Sequence, residues 1–207
     1  TIDSVEPIYG LVALGLVHPD RVKKNSAARP GDVLVLGKPL GVGIYSAALK
    51  KGQLSADGYA QMIASTTRLN TAGPALAALP GVHALTDVTG FALAGHALEL
   101  ARGAGGTAHI EWPSVPLLPG ARELAAQGVI TGASGRNWAA YGHDIALPAG
   151  FADADRALLS DPQTSGGLLV ACAPEAVDAV LAVFRSQGFA EAAVVGEVMA
   201  KGTKPLA

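Results

Sequence analysis

The stretch with the clearest chemical potential surrounds Asp87. Val82 to Leu85 is a short, mostly apolar run leading into that aspartate, and Thr89 and Gly90 then turn the chain. Phe91, Leu93, Ala94, Ala97 and Leu98 follow at helical spacing. The order is strand, carboxylate, tight turn, helix. A strand end holds a carboxylate rigidly and the turn leaves it open, which suits a ligand for a hard metal ion. An Asx-turn cap is the competing role, and such caps are frequent at element ends. Thr89 is placed to cap the helix, its hydroxyl accepting from first-turn N–H groups.

Three further loops carry polar side chains among glycines. Asp161-Pro162-Gln163-Thr164-Ser165-Gly166-Gly167 fixes a turn with Asp-Pro and offers three side chains that hydrogen-bond. Its paired glycines allow the backbone to approach a ligand or another element closely. Lys38-Pro39-Leu40-Gly41-Val42-Gly43 superficially resembles a phosphate loop, but Lys38 precedes the glycines and the required spacing is absent. Tight strand-to-helix packing is its expected role. Gly132 to Tyr141 reads as an irregular loop gathering Ser134, Arg136, Asn137 and Tyr141; Arg136 either meets an anion or pairs with a surface carboxylate. The histidines show no zinc spacing; His96 reads as hydrogen-bonded and half-buried, and Cys172, in an apolar strand, as inert. No nucleophile elbow is present.

The elements that position these residues alternate. Asp32 to Gly37 reads as a strand, followed by a helix ending near Gly52, then a longer one capped by Ser55 and running to Leu69. Asn70 to Pro74 breaks it, and a short helix continues to Leu79. Past the Asp87 helix, which stops at Gly103 to Gly106, Thr107 to Trp112 alternates as a strand and Pro119 to Gln127 fits a helix. Arg156 to Leu159 is a short helix at best, Leu168 to Ala173 a buried strand, Pro174 to Gln187 a helix and Ala192 to Met199 a final strand. The class is α/β (α+β), a mixed sheet covered by helices. Residues 8 to 17 read as a strand rich in Ile, Val and Leu, joined by a polar connection, residues 18 to 31, to a main domain, residues 32 to 207.

Composition narrows the function classes. Half of the 207 residues are hydrophobic and 15% are charged, which favours an ordered, well-buried protein. A net charge of −2 gives no electrostatic case for nucleic acid or an anionic membrane. No apolar run approaches a bilayer span. The single cysteine excludes an intrachain disulfide and favours a reducing compartment, so a cytoplasmic location is expected.

Thr86-Asp87-Val88-Thr89-Gly90-Phe91 with Gly95-His96, and Asp161 to Leu169, resemble selenophosphate synthetase (selenide, water dikinase). Arg21 to Ser26, Lys38 to Gly43 and Gly135-Arg136-Asn137 match the same family in order and spacing. The first motif is shared more loosely with relatives of aminoimidazole ribonucleotide synthetase; the second is more specific. The resemblance implies that ATP, selenide and water give selenophosphate, AMP and orthophosphate with Mg2+, in a two-domain subunit that forms a homodimer. It implies an aminoimidazole ribonucleotide synthetase-like C-terminal domain, with residues 1 to 17 as the last strand of an N-terminal ATP-binding domain. Thr1 then belongs to the nucleotide-contacting segment and Asp87 is the metal ligand. No catalytic residue is expected within the chain, because the family's reactive Cys (or selenocysteine) and its Lys precede this stretch; the 207 residues alone are expected to be inactive. The family usually has Gly at the position of Ala92. Another ATP-dependent synthetase of the superfamily, purine-pathway or hydrogenase-maturation, and a non-catalytic binding module are the alternatives.

Overall fold

A computed structural model describes residues 10, 12, 14–19 and 22–207. Thr1 and four residues of the strand expected over residues 8 to 17 (8, 9, 11 and 13) lie outside the described residues. The described ones in that stretch, such as Leu14 and Leu16, belong to no strand and are exposed.

Five strands form one sheet: β1 (Val33–Leu36), β2 (Val82–Asp87), β3 (Thr107–Ile110), β4 (Leu168–Cys172) and β5 (Ala193–Met199), in the order β2-β4-β1-β5-β3. All four ladders are antiparallel. The sheet is therefore not the mixed one expected, although the α+β class and the helical cover hold. Alternating strands and helices suggest parallel neighbours, but β1, β2 and β3 run one way and β4 and β5 the other, and the two sets interleave in the sheet. The tail covers the β3 edge, Ala108 N–H donating to Pro205 and Ile110 N–H to Ala207.

Side chains divide between the two faces with the strand period of two. Leu34, Leu36, Ala84, Leu169 and Ala171 face a core completed by α4 (Ala92–Ala104). Val35, Val82, Leu168, Val170 and Cys172 face the opposite core, closed by α3 (Gly73–Ala78) and α8 (Val177–Ser186). β4 is buried at every residue, which explains its uninterrupted apolar sequence. A third cluster packs α1 (Val42–Lys50) and α2 (Ala56–Thr67) against α5 (Ala121–Ala126) and α7 (Asp153–Leu159). No helix among the described residues is long and apolar enough to cross a membrane.

Most helix limits follow local signals. Ser55 caps α2, its hydroxyl accepting from Gly58 N–H at 3.0 Å, and Gly105 ends α4 in the left-handed conformation at φ 66°. Two expectations fail. Residues 132 to 141 form a helix, α6 (Gly132–Tyr141), rather than an irregular loop, because Thr131 caps it and accepts from Ser134 N–H at 3.1 Å. Thr89 does not cap α4: the helix begins three residues later, and the Thr89 hydroxyl lies 3.3 Å from His96 Nε2.

Phe184 of α8 is fully buried, meets Phe189 edge-to-face at 5.8 Å, and lies where a side chain on Gly37 would project. It thus supports the start of the Lys38 loop from beneath. Phe184→Ala is expected to lower stability by about 3–5 kcal/mol, read from the urea midpoint at unchanged slope.

Candidate functional site: three loops around Asp161 to Gly167

The antiparallel pairing brings three connections to one end of the sheet. Leu36 pairs with Leu169, and Asp87 with Leu168. The loop after β1, the turn after β2 and the loop before β4 therefore meet. Gly37 N–H donates to Leu168 at 2.9 Å, Val88 N–H to Gly167 at 2.9 Å and Gln163 N–H to Thr89 at 3.0 Å. The paired glycines serve this contact between elements: a Cβ on Gly166 would overlap the Val88 carbonyl, and one on Gly167 the Lys38 amide.

Asp161 and Gln163 fasten the third loop to the head of α1. Asp161 is fully buried, and its Oδ2 accepts from Gly43 N–H (3.0 Å), Ile44 N–H (3.2 Å) and Gln163 Nε2 (2.9 Å). Gln163 Oε1 accepts from Gly41 and Val42 N–H, both at 3.2 Å. The first-turn amides that could have held a phosphate are thus occupied by protein oxygens. Gly43 has no side chain because a Cβ there would overlap Asp161 Oδ1. Burial pushes the Asp161 carboxyl up to about 7, against the lowering effect of its N–H donors. Oδ1 has no partner among the described residues and is the oxygen left to carry a proton.

Lys38 is equally committed. Its buried ammonium donates to the carbonyls of Ser165 (2.6 Å), Arg68 (2.7 Å) and Ser65 (3.2 Å). It therefore caps the end of α2 and holds the third loop rather than offering charge to a ligand. Burial, then the Arg68 charge, brings its pKa down to about 8. Asn70 Nδ2 adds a bond to Gly166 at 2.9 Å.

α6, missed as a helix, supplies the lateral brace. Asn137 Nδ2 donates to Gly90 (2.9 Å) and Ser160 (3.2 Å), and the Tyr141 hydroxyl to Phe91 (2.8 Å). Of the residues singled out there, Asn137, Tyr141 and Ser134 are structural, the last donating to Ala157 at 2.9 Å. Arg136 is exposed and forms no ion pair among the described residues. The cap pattern beginning at Thr131 was the signal that could have revealed this helix.

What the loops leave open is Asp87. It ends β2, is exposed, and its carboxylate has no hydrogen-bond or ion-pair partner among the described residues. It is not a cap. His96, almost fully buried on α4, faces Thr89; burial pulls its pKa down, while the Asp87 and Glu99 charges push it up. No group of three or more His, Cys, Asp or Glu side chains suited to a metal occurs among the described residues. Among the described residues two non-glycine residues have positive φ: Ala92 at 63°, which opens α4, and Ser165 at 51°, on the loop before β4. Such conformations cost about 1–2 kcal/mol each and persist only where the surroundings enforce them.

The raised Asp161 pKa has a signed consequence. The folded state keeps a proton that the unfolded chain, with a carboxyl near its usual value of 3.8, has already lost. The associated stability is therefore full below about pH 4 and is lost as pH rises to about 7. Relative to Asp161→Asn, wild-type stability is expected to fall by up to about 1.4 kcal/mol per pH unit across that window. Urea denaturation of both proteins at several pH values checks this.

Comparison with known proteins places this arrangement. Residues 29–205 match the family model described as AIR synthase related protein, C-terminal domain. The selenide, water dikinase of Burkholderia pseudomallei (strain K96243) is 71% identical over 199 residues, covering 96% of this chain and 56% of that protein. That of Pseudomonas straminea is 60% identical over 204 residues, covering 99% of this chain and 57% of the relative. The chain thus spans about half the length of the curated relatives it matches. Among solved structures, E. coli HypE superposes with a TM-score of 0.65 at 22% identity, over 89% of this chain and 48% of that one. A thiamine-monophosphate kinase from Stenotrophomonas maltophilia K279a gives 0.63 at 19%, over 92% and 54%. These two show the fold alone. With a matching model over most of its length and that fold, the chain belongs to the AIR synthase related protein, C-terminal domain, family.

Proposed function

We propose that the chain is the C-terminal part of a selenophosphate synthetase, which converts ATP, selenide and water to selenophosphate, AMP and orthophosphate. The observation that carries this reading is the 71% identity to a selenide, water dikinase over 96% of the chain. The site is compatible with it. Transfer of phosphoryl groups from ATP concentrates negative charge, and catalysis is mostly positioning and electrostatic stabilisation. A carboxylate at the end of a paired strand, open to solvent and without a partner among the described residues, can serve as one ligand to a hard divalent cation.

Mg2+ fits Asp87 in that sense, because it commonly takes one or two carboxylates and completes its shell with waters and phosphates. When bound, it would neutralise charge developing on the phosphates. This chain's own contribution is to hold Asp87 still. β4 pairs with the backbone at Asp87, the Gly166–Gly167 approach fixes Val88, and Asn137 and Tyr141 fix Gly90 and Phe91.

The same reading makes residues 1 to 17 the end of an N-terminal ATP-binding domain, with Thr1 at the nucleotide, and residues 18 to 31 a linker to the domain over 32 to 207. The reactive Cys (or selenocysteine) and Lys, and further metal ligands, belong to sequence outside these 207 residues. Phe91 and Leu69 are 65% and 75% exposed and flank the loops, as expected of a surface that another domain covers. A cytoplasmic homodimer completes the proposal. HypE and thiamine-monophosphate kinase keep a different ATP-using enzyme of this fold as the alternative, but their likeness stops at architecture.

The test is Asp87→Asn in the full-length protein. The amide keeps the shape and loses the charge, and the exposed carboxylate has no hydrogen bond to the described residues to forfeit. AMP release with selenide and Mg2+ is expected to fall at least about a hundredfold, equivalent to about 2.7 kcal/mol, while the melting temperature moves by less than about 2 °C. Near-normal turnover in that variant sinks the metal assignment. Unaltered turnover by the 207-residue chain alone sinks the two-domain reading.

A further inference from the structure

Ser165 sits at the tip of the loop before β4 with φ 51°, a backbone region in which glycine meets no resistance from a side chain. The loop uses glycine at the next two positions, where neighbouring backbone approaches too closely for any Cβ. At position 165 a side chain is present despite the conformation. The strain is imposed from several sides. The Ser165 carbonyl accepts from Lys38 Nζ at 2.6 Å and the Gly166 carbonyl from Asn70 Nδ2 at 2.9 Å, while Gln163 anchors the other flank to α1. The tip is therefore rigid, yet the hydroxyls of Ser165 and its neighbour Thr164 have no hydrogen-bond partner among the described residues. Ser165 is half-buried and Thr164 exposed. Gly166 lies against the Val88 carbonyl, so the tip stands beside the strand end that carries Asp87.

We propose that Ser165 is a substrate-contacting residue whose hydroxyl donates a hydrogen bond to a phosphate oxygen of the nucleoside triphosphate, an assignment that rests on the reading under Proposed function. A hydroxyl held in advance on a strained, fully anchored turn binds without ordering cost. The Lys38 ammonium, on the loop after β1, is bound to the Ser165 carbonyl, and this favours an anionic oxygen over a cation as the partner. Thr164 supplies a second hydroxyl at the same edge. The open Asp87 carboxylate would repel a phosphate unless a cation lies between them, which is the arrangement a metal–nucleotide complex provides.

Ser165→Gly separates this role from a purely conformational one, because glycine suits the backbone better while removing the hydroxyl. In the full-length protein, Ser165→Gly is expected to melt at or above the wild-type temperature. Its dissociation constant for the β,γ-methylene analogue of ATP with Mg2+, measured by calorimetry, is expected to rise about tenfold, as is the KM for ATP, with the KM for selenide unchanged. Ser165→Ala keeps the backbone demand of serine and is expected to lose the same affinity, so it decides the matter if the glycine variant folds poorly. Analogue affinity within twofold of wild type in either variant overturns the assignment while leaving the proposed activity standing. A wild-type protein that neither binds the analogue nor releases AMP overturns both.

Discussion

The whole candidate site depends on one buried carboxylate. Asp161 lies at the head of α1 with Oδ2 accepting two backbone amides and the Gln163 side chain. A charged carboxylate out of water is costly unless hydrogen-bonded, and the first-turn amides of a helix offer both donors and a favourable dipole. Burial and these donors pull the group in opposite directions, and its pKa of about 7 shows burial ahead. The constraint is spatial as well as electrostatic, since Gly43 must lack a Cβ for the carboxylate to fit. From this anchor Gln163 reaches back to α1 and its own amide reaches Thr89, so one short segment ties the β1 and β2 loops together.

This arrangement changes what the glycine-rich segments do. A lysine beside glycines at a helix N-terminus suggests phosphate binding, yet Lys38 has three carbonyl partners and the α1 amides are taken by side-chain oxygens. The polar atoms that look most like a ligand site are its internal scaffold. The groups left open among the described residues of these loops lie on its rim: the Asp87 carboxylate and the hydroxyls of Thr164 and Ser165. A scaffold made of strong, buried hydrogen bonds can hold such groups in place at little further ordering cost.

Most of the fold was legible where the signal was local. β4, read from sequence as Leu168 to Ala173 and found over Leu168–Cys172, is buried on both faces and has the composition of a central strand, and Ser55 is a cap by both sequence and geometry. The strand sense was not legible, because pairing partners far apart in the chain decide it. α6 was obscured by its composition: Gly132, Gly135 and Ser134 weaken helix propensity, and tertiary hydrogen bonds from Ser134, Asn137 and Tyr141 override that. Asp87 and the Asp161 loop were identifiable as chemical candidates, but their separate roles were not. A carboxylate at a turn is the same residue in sequence whether three donors surround it or none does.

The departure at Ala92 fits the same physics. The resemblance places glycine there, and the left-handed φ of 63° gives the reason. Alanine in that conformation costs about 1–2 kcal/mol. Its methyl, however, is fully buried against the α4 core, which returns about 0.8 kcal/mol. Alanine also has less backbone freedom to lose on folding than glycine, by roughly 0.5–1 kcal/mol. The opposing terms nearly cancel, so either residue can open this helix without moving the turn. The turn itself is held from outside, by Asn137 on Gly90, Tyr141 on Phe91 and Gln163 on Thr89. Where neighbours enforce the geometry this strongly, the residue at the strained position is free to vary in a way that Gly166 and Gly167, hemmed in by backbone, are not.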